Sequence, residues 1–535
     1  MKKRILALLL ASAMIFSIAA CNNDSEGGGT TAGGGGGGTE STAGGGGGDG
    51  GDGDGGGDGG GGGGGEEETT TPDPLAGWDP AGEIPSEEEL GGKTLINVYC
   101  FANETSDTIL PFVYEQNPDF LDKYYVNIIM EATATTYIRK VEMALDTGSG
   151  IDLYVADADY ARRFAANPKT AVASDYLDFN EDDYYKYTLD MMRVDGKVKA
   201  LSHQATPGCM YYRSDIAAEA GYNSPADVQA AVSTWDGFLA VADAVTAQDN
   251  VFMTYGTDEL KRTFLNSRDR GWVVNGLLSI DEGAVKNFFT TTKALYDKGQ
   301  ILYKGTGQWS AGWEAAARGQ TEDGSGSASA FAYFGCTWYL HYCLKGWTIA
   351  DADAAAGKTD QEIADSGNGT FGKWGMVDGP QGFFWGGTYW YAPTFLVNGG
   401  DADVLAGVKI IIETMCVNDE TMKAYAFKTG DFMSKKTVVE AIKNDEQFNN
   451  PFLGGQNHYV TFATAALAVD ASKNVTTYDA RFDEFFNEAV NTFFKEIDGG
   501  KSFDDAYNTT MTAFVGLVKT GLPDVDVSSY DGYFA

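Results

Sequence analysis

The chain has 535 residues, with 76 acids against 38 lysines and arginines, three histidines and a formal net charge of −38. A field of that sign repels nucleic acid and anionic membrane surfaces and favours solubility, so neither is an expected partner. It also argues mildly against an anionic small molecule, unless a local arginine cluster overrules the mean.

In chain order, the first element is a leader. "MKKRILALLLASAMIFSIAAC" begins with Lys2, Lys3 and Arg4 and continues as an apolar run from Ile5 to Ala20. The run is short for a membrane span and has the length of a signal-peptide core. Ile18-Ala19-Ala20-Cys21 resembles a bacterial lipobox, which implies cleavage before Cys21 and lipidation of its sulfur; a signal peptide cut elsewhere is the plainer reading. Residues 1–20 therefore read as a lipoprotein signal peptide. Between Asn22 and Gly65, 27 of 44 residues are glycine, and an acidic, proline-bearing stretch carries the chain to Lys93. Such a composition cannot bury apolar surface, so residues 21–92 read as a flexible tether with an rms span of roughly 50 Å. The protein is expected on the outer face of the cytoplasmic membrane, in contact with the bilayer only through Cys21.

From Lys93 onward, 443 residues carry 60 acids and 35 bases, net −25, which is more chain than one core usually supports; two domains are expected. "KTLINVYCFANE" (93–104) alternates and then runs apolar, as a buried strand does, and "DTILPFVYEQNP" follows with helical spacing. "VNIIMEA" (126–132) reads as a second strand. In the helix that follows, Ile138, Val141, Met143, Ala144 and Leu145 fall on or near one face, closed by Gly148. "IDLYVAD" (151–157) is a third strand. Strands alternating with helices at this spacing imply right-handed crossovers and a parallel sheet, whose ligands sit beyond the carboxyl ends of the strands. Those ends carry Asn103, Glu104, Asp157 and Asp159, which otherwise read as solvated loop residues or helix caps.

Cys100, Cys209, Cys336, Cys343 and Cys416 are odd in number and mostly sit in apolar runs, so buried free thiols are expected, with a Cys336–Cys343 bridge as the alternative. His203, His341 and His458 are too widely spaced for a zinc motif, and no metal or cofactor is expected. The chain has no G-x-S-x-G elbow, no H-E-x-x-H and no phosphate loop. "GFFWGGTYWYAP" (382–393) places six rings between Phe383 and Tyr391, split by Gly386-Gly387. A strand aromatic on both faces suits burial, while the bare glycines mark close approach of a ligand or another chain. Trp385 is expected at a ligand, Phe384 and Trp390 in the core. Trp309 and Trp313 stand at i, i+4, a helical spacing more typical of core.

Six segments in order resemble the extracellular solute-binding proteins, family 1 and maltose-binding-protein-like, of bacterial carbohydrate ABC transporters. They are "GSGIDLYVADADY", "DGKVKALSHQATPGCMYYRSDIAAEAGY", "TWDGFLAVADAV", "SASAFAYFGCTWYLHYCLKGW", the run from Gly372 to Met415, and Asp479 to Val518. The likeness covers Lys93 to Val518; the glycine tether and the acidic body lie outside the family's shared pattern. It implies an α/β, two-lobe, type II periplasmic-binding fold with a hinge and an interlobe ligand cleft. Lobe 1 would be 93–205 plus 380–430 and lobe 2 would be 209–375 plus 435–535. The implied partners are a sugar or oligosaccharide and the permease subunits, with the receptor a monomer and not an enzyme.

By family position, Phe334 and Trp338 are stacking-ring candidates, with core packing as the even alternative. Gln204 and Thr206 lie where the chain crosses between lobes, Gly386 beside Trp385, and Gln456 and Tyr459 in a stretch that lines the second lobe. Arg268 and Arg270 stand near the cleft, and an acidic sugar would fit if both face it. A peptide or polyamine receptor with the same fold is the alternative ligand reading. A surface glycosidase using Asp157 and Asp159 is the alternative activity.

Overall fold

The computed structural model describes residues 83–533. The signal peptide, Cys21 and the tether up to residue 82 lie outside the described residues. The flexible tether expected to reach residue 92 gives way to structure sooner. Ser86 and Glu89 form a capping box on the short helix Glu87–Leu90, and the Asn127 side chain donates to the Glu83 carbonyl at 2.7 Å.

The chain builds two lobes around two sheets. The first sheet opens with β1 (Thr94–Cys100), helix α1 (Leu110–Gln116), β2 (Tyr124–Met130), α2 (Ala134–Thr147), β3 (Leu153–Asp157) and α3 (Ala158–Ala166). β1 pairs in parallel with both β2 and β3, as the alternating pattern requires. Of the expected face of α2, Ile138, Val141, Ala144 and Leu145 are buried, joined by Tyr137, while Met143 is only half-buried; Gly148 closes the helix at φ 72. The sheet is completed from afar by β4 (Leu201–Ser202) and, later in the chain, by a strand at Thr388–Tyr391 that runs antiparallel between β3 and β4.

The second sheet is antiparallel: β5 (Cys209–Arg213) lies between β6 (Ala332–Gly335) and β7 (Trp374–Val377). The strand Thr388–Tyr391 is therefore β8. Between β5 and β6 come the short helices α4 (Lys261–Leu265) and α5 (Ala311–Ala317). Helix α6 (Ala402–Cys416) returns to cover β1. Gly407 lets it do so, because a Cβ there would lie 2.4 Å from Ile96 Cδ1. A hairpin of α7 (Asp479–Asp498) and α8 (Phe503–Gly521) covers the second lobe, burying Phe482, Phe486, Phe493 and Phe514 against Trp272 and Phe289. Each such side chain contributes roughly 1.5–3 kcal/mol of burial. Among the described residues no helix is long and apolar enough to cross a membrane. All five described cysteines are buried and free, so Cys336 and Cys343 are not bridged.

The chain crosses between lobes in three adjacent segments. Residues 203–208 run in the middle. On one edge Ala205 N–H donates to Phe432 O (2.9 Å) and Ser434 N–H to His203 O (3.0 Å). On the other, Trp385 N–H donates to Thr206 O (3.1 Å) and Gly208 N–H to Phe383 O (2.7 Å). This three-segment ribbon is the hinge.

Candidate functional site: an aromatic cleft between the lobes

The rings that split the sequence argument fall on both sides of the answer. Phe383 enters the second-lobe core against Phe334, Phe384 stacks on Tyr187, and Trp390 is wholly buried in the first sheet. Trp385 sits instead in an aromatic group formed from both lobes. Its ring centroid lies 5.1 Å from Trp338, 5.7 Å from Trp309 and 6.0 Å from Tyr339. Trp309 and Trp338 are parallel to within 10° at 6.1 Å, and both are partly exposed. The Trp338 indole N–H donates to the Trp385 carbonyl at 3.0 Å. The glycine pair allows that approach: Gly386 (φ +71) and Gly387 (φ +117) take backbone that side chains avoid, and a Cβ on Gly386 would lie 2.8 Å from Trp338 Nε1.

Trp309 and Trp313 do not share a helix, contrary to their spacing. Ser310 caps α5 through its Oγ, accepting from Trp313 N–H at 3.2 Å, so Trp309 precedes the helix while Trp313 is core. Trp309 holds φ +71, a region costing an L residue on the order of 1–2 kcal/mol. The loop before it is pinned by buried Asp258, whose carboxylate accepts from Gly307 N–H (2.8 Å) and Gln308 N–H (3.2 Å). Neighbouring Glu259, also buried, accepts from Trp313 Nε1 and Phe334 N–H, both at 2.9 Å; burial still pushes its pKa up to about 8.

Charge enters where β3 ends. Asp157 caps α3 through its carboxylate, accepting from Asp159 N–H at 2.9 Å, and burial, then the Asp159 charge, pushes it up to about 7. Asp159 meets Arg262 of α4 in a two-pronged pair, 3.2 and 3.1 Å. The same guanidinium lies 4.6 Å over the Trp385 ring. Burial alone would lower the Arg262 pKa; Asp159 and Asp483 more than offset it. Beside the pair is a cavity of about 50 Å³, lined by Asp159, Arg262, Asn266, Arg268, Phe384 and Asp479. Bound small molecules occupy roughly 300 Å³ or more. The cavity as it stands is too small to hold an oligosaccharide.

The other sequence candidates divide three ways. Trp338, Trp385, Gly386, Asp157 and Asp159 converge at the cleft. Glu104, Gln204 and Thr206 lie at or beside the hinge: Thr206 Oγ1 donates to Gly386 O (2.7 Å), and Glu104 sits near His203 and Asp431. Asn103 stands on the loop after β1, where its carbonyl accepts from Asp107 N–H at 2.8 Å. The rest are held elsewhere. Phe334 is 2% exposed and packs on Phe238 and Phe383, inside the lobe. Gln456 brackets Met376, accepting from its N–H (3.0 Å) and donating to its carbonyl (2.7 Å), which finishes the edge of β7. Tyr459 is buried with its hydroxyl on the Asp431 carbonyl.

The two arginines do not converge on a ligand. Arg268 lines the cavity beside the Asp159–Arg262 pair, donating to Leu265 O (2.7 Å) and Asn474 O (3.0 Å) and lying 4.2 Å over Trp272 with its Nη1 unpartnered, while Arg270 is exposed and pairs with Asp269 at 2.6 Å. The sequence reading missed Arg262, Trp309 and Asp431. No local signal singled out Arg262, since Lys261-Arg262 is one of four adjacent basic pairs in the body.

A family model described as bacterial extracellular solute-binding protein matches residues 115–450. No curated protein matches the chain. Among solved structures, one described as an extracellular solute-binding protein of family 1 aligns with TM-score 0.58 at 19% identity, covering 79% of this chain and 98% of the other. The sugar-binding protein MalE of Xanthomonas citri aligns with TM-score 0.56 at 15% identity, over 80% and 98%. The galacto-N-biose/lacto-N-biose I-binding protein of an ABC transporter of Bifidobacterium longum, in complex with lacto-N-biose, aligns with TM-score 0.56 at 17% identity, over 82% and 99%. At such identities the likeness carries the fold.

Proposed function

Because the chain belongs to the bacterial extracellular solute-binding proteins, we propose that it is a membrane-anchored receptor that captures a sugar or oligosaccharide in the cleft and delivers it to an ABC permease. Lobe 1 would span 93–205 plus 380–430 and lobe 2 209–375 plus 435–535, with Cys21 as the lipid anchor. The observation that carries this reading is the group Trp309, Trp338 and Trp385 beside Asp157, Asp159 and Arg262. Flat rings cover the C–H face of a sugar, while carboxylates and a guanidinium pair with its hydroxyls. Once buried, an unmatched hydroxyl costs about 1–3 kcal/mol, which is how epimers are told apart. Relatives of the same fold hold lacto-N-biose and β-1,6-galactobiose, which supports the solute class. The arginine placement takes support from an acidic sugar, and the guanidinium already bound to Asp159 takes support from a glycosidase.

The test is calorimetric titration of the chain from residue 21 against neutral oligosaccharides, uronic-acid sugars and short peptides. Micromolar binding of one glycan, about −8 kcal/mol, with the sugar recovered intact and affinity lost in Trp385→Ala, is expected. Heat from peptides or uronates with silence across neutral sugars would overturn the solute assignment.

A further inference from the structure

The hinge holds an incomplete electrostatic unit. Glu104 follows β1, His203 and Gln204 belong to the central crossing segment, and Asp431 belongs to the outer one. Ligand-capable atoms of Glu104, His203 and Asp431 all lie within 4.8 Å of one another. Asp431 is 1% and His203 0% exposed, and Glu104 is buried at 9%. Two carboxylates thus share a dry space, and no lysine or arginine offsets either one among the described residues. Burial pushes Glu104 up to about 7 and Asp431 well above its usual range, with the Glu104 charge adding to the latter.

Asp431 Oδ2 and, beside the pair, Tyr425 Oη are buried without a hydrogen-bond partner. The Gln204 amide lies against His203, 3.4 Å from Nε2, and the Tyr425 ring packs on His203 at 5.7 Å. The Tyr425 hydroxyl feels both carboxylates. A buried polar atom without a partner costs about 1–3 kcal/mol, and an unpaired buried charge more.

The histidine narrows the ligand's chemistry. Trp390 donates its indole N–H to His203 Nδ1 at 3.2 Å, which leaves the ring proton on Nε2. An Nε2–H cannot bind a metal, and the usual ligating histidine donates from its other nitrogen, the reverse of this case. The remaining donors are all oxygen, two of them anionic, which is the set that hard divalent cations take.

We infer that Glu104 and Asp431, with the Tyr425 hydroxyl beside them, form a binding site for a hard divalent cation of the calcium class, set in the hinge and independent of the solute that occupies the cleft. The ion joins a loop of the first sheet to the outer crossing segment.

The test uses full-length protein stripped with chelator, then titrated with calcium while thermal unfolding is followed, and with terbium while sensitised emission is followed. Trp390 and Tyr425 stand close enough to serve as antennae. Calcium at a hundredfold excess over Kd is expected to raise Tm by about 3 °C, and terbium emission to saturate and be displaced by calcium. Both responses are expected to vanish in Asp431→Asn and Glu104→Gln and to weaken severalfold in Tyr425→Phe, the mildest change if the others fail to fold. A response that survives all three variants would place the ion on the acidic surface and overturn the proposal. So would an unchanged Tm and dark terbium at millimolar metal, which would leave a shared proton as the neutralising charge.

Discussion

Asp159 and Glu104 both stand just beyond carboxyl ends of parallel strands in the first sheet, yet only Asp159 meets a guanidinium. At the cleft, Arg262 is held by Asp159 in two hydrogen bonds and by the Trp385 face, so the charge is balanced within the chain. At the hinge, Glu104 faces Asp431 and a neutral imidazole, whose pKa burial pushes down to about 3. The first arrangement ties closure to an ion pair across the lobes. The second is left for something outside the chain to complete. Removing charge should therefore act with opposite sign at the two places.

The largest effect is expected from Arg262→Ala, which strands Asp159 and Asp157 in the cleft. Stability should fall by about 3 kcal/mol, read from the denaturant midpoint, and an unchanged midpoint would mean the pair is cosmetic. Glu104→Gln should do the reverse in chelated protein at pH 8, raising stability by about 2 kcal/mol, because it removes a carboxylate that burial disfavours. Loss of stability there would erase the contrast between the two sites.

Acidity sharpens the same contrast. Glu104 and Asp157, each at about 7, and Glu259, at about 8, have folded pKa values raised above their unfolded ones, so the folded state binds more protons in that window. Their stabilising effect is present at low pH and is lost as pH climbs through these values. Metal-free protein should lose about 1–2 kcal/mol between pH 7 and 8, and Glu104→Gln should flatten the slope. Below 6.5 His203, with its lowered pKa, works the other way and masks the trend. The smallest effect is reserved for the rim: Trp309→Ala should weaken glycan binding about tenfold, roughly 1.4 kcal/mol, without moving the unfolding midpoint downward. Affinity that survives this change would move the stacking face to Trp338 alone.

The first sheet was readable because its three parallel strands follow one another in the chain, with β1 set between β2 and β3. β1, β2 and β3 are local units, and the α2 face shows in the spacing of Ile138, Val141 and Leu145. β8 escaped that logic, since it arrives more than two hundred residues later and runs antiparallel. At the site, Asp157 and Trp385 stood out because strand ends and glycine pairs are local signals. Trp309 did not, because its i, i+4 distance from Trp313 imitates a helix that Ser310 in fact begins one residue later. Family position fixes the segment and not the direction of a ring: the pleat of β6 turns Phe334 into the lobe, and the helix beginning at His458 turns Tyr459 into the core. The hinge cluster was out of reach, because Glu104 and Asp431 are over three hundred residues apart and meet only through the crossing ribbon.

The five buried thiols carry a practical consequence. Burial raises the pKa of each one, so at neutral pH none offers a thiolate to an electrophile or an oxidant. The folded body is thus silent toward maleimides as nature supplies it. One cysteine added to each lobe would be the sole labelled pair, and energy transfer between two dyes would report the opening and shutting of the cleft in single molecules.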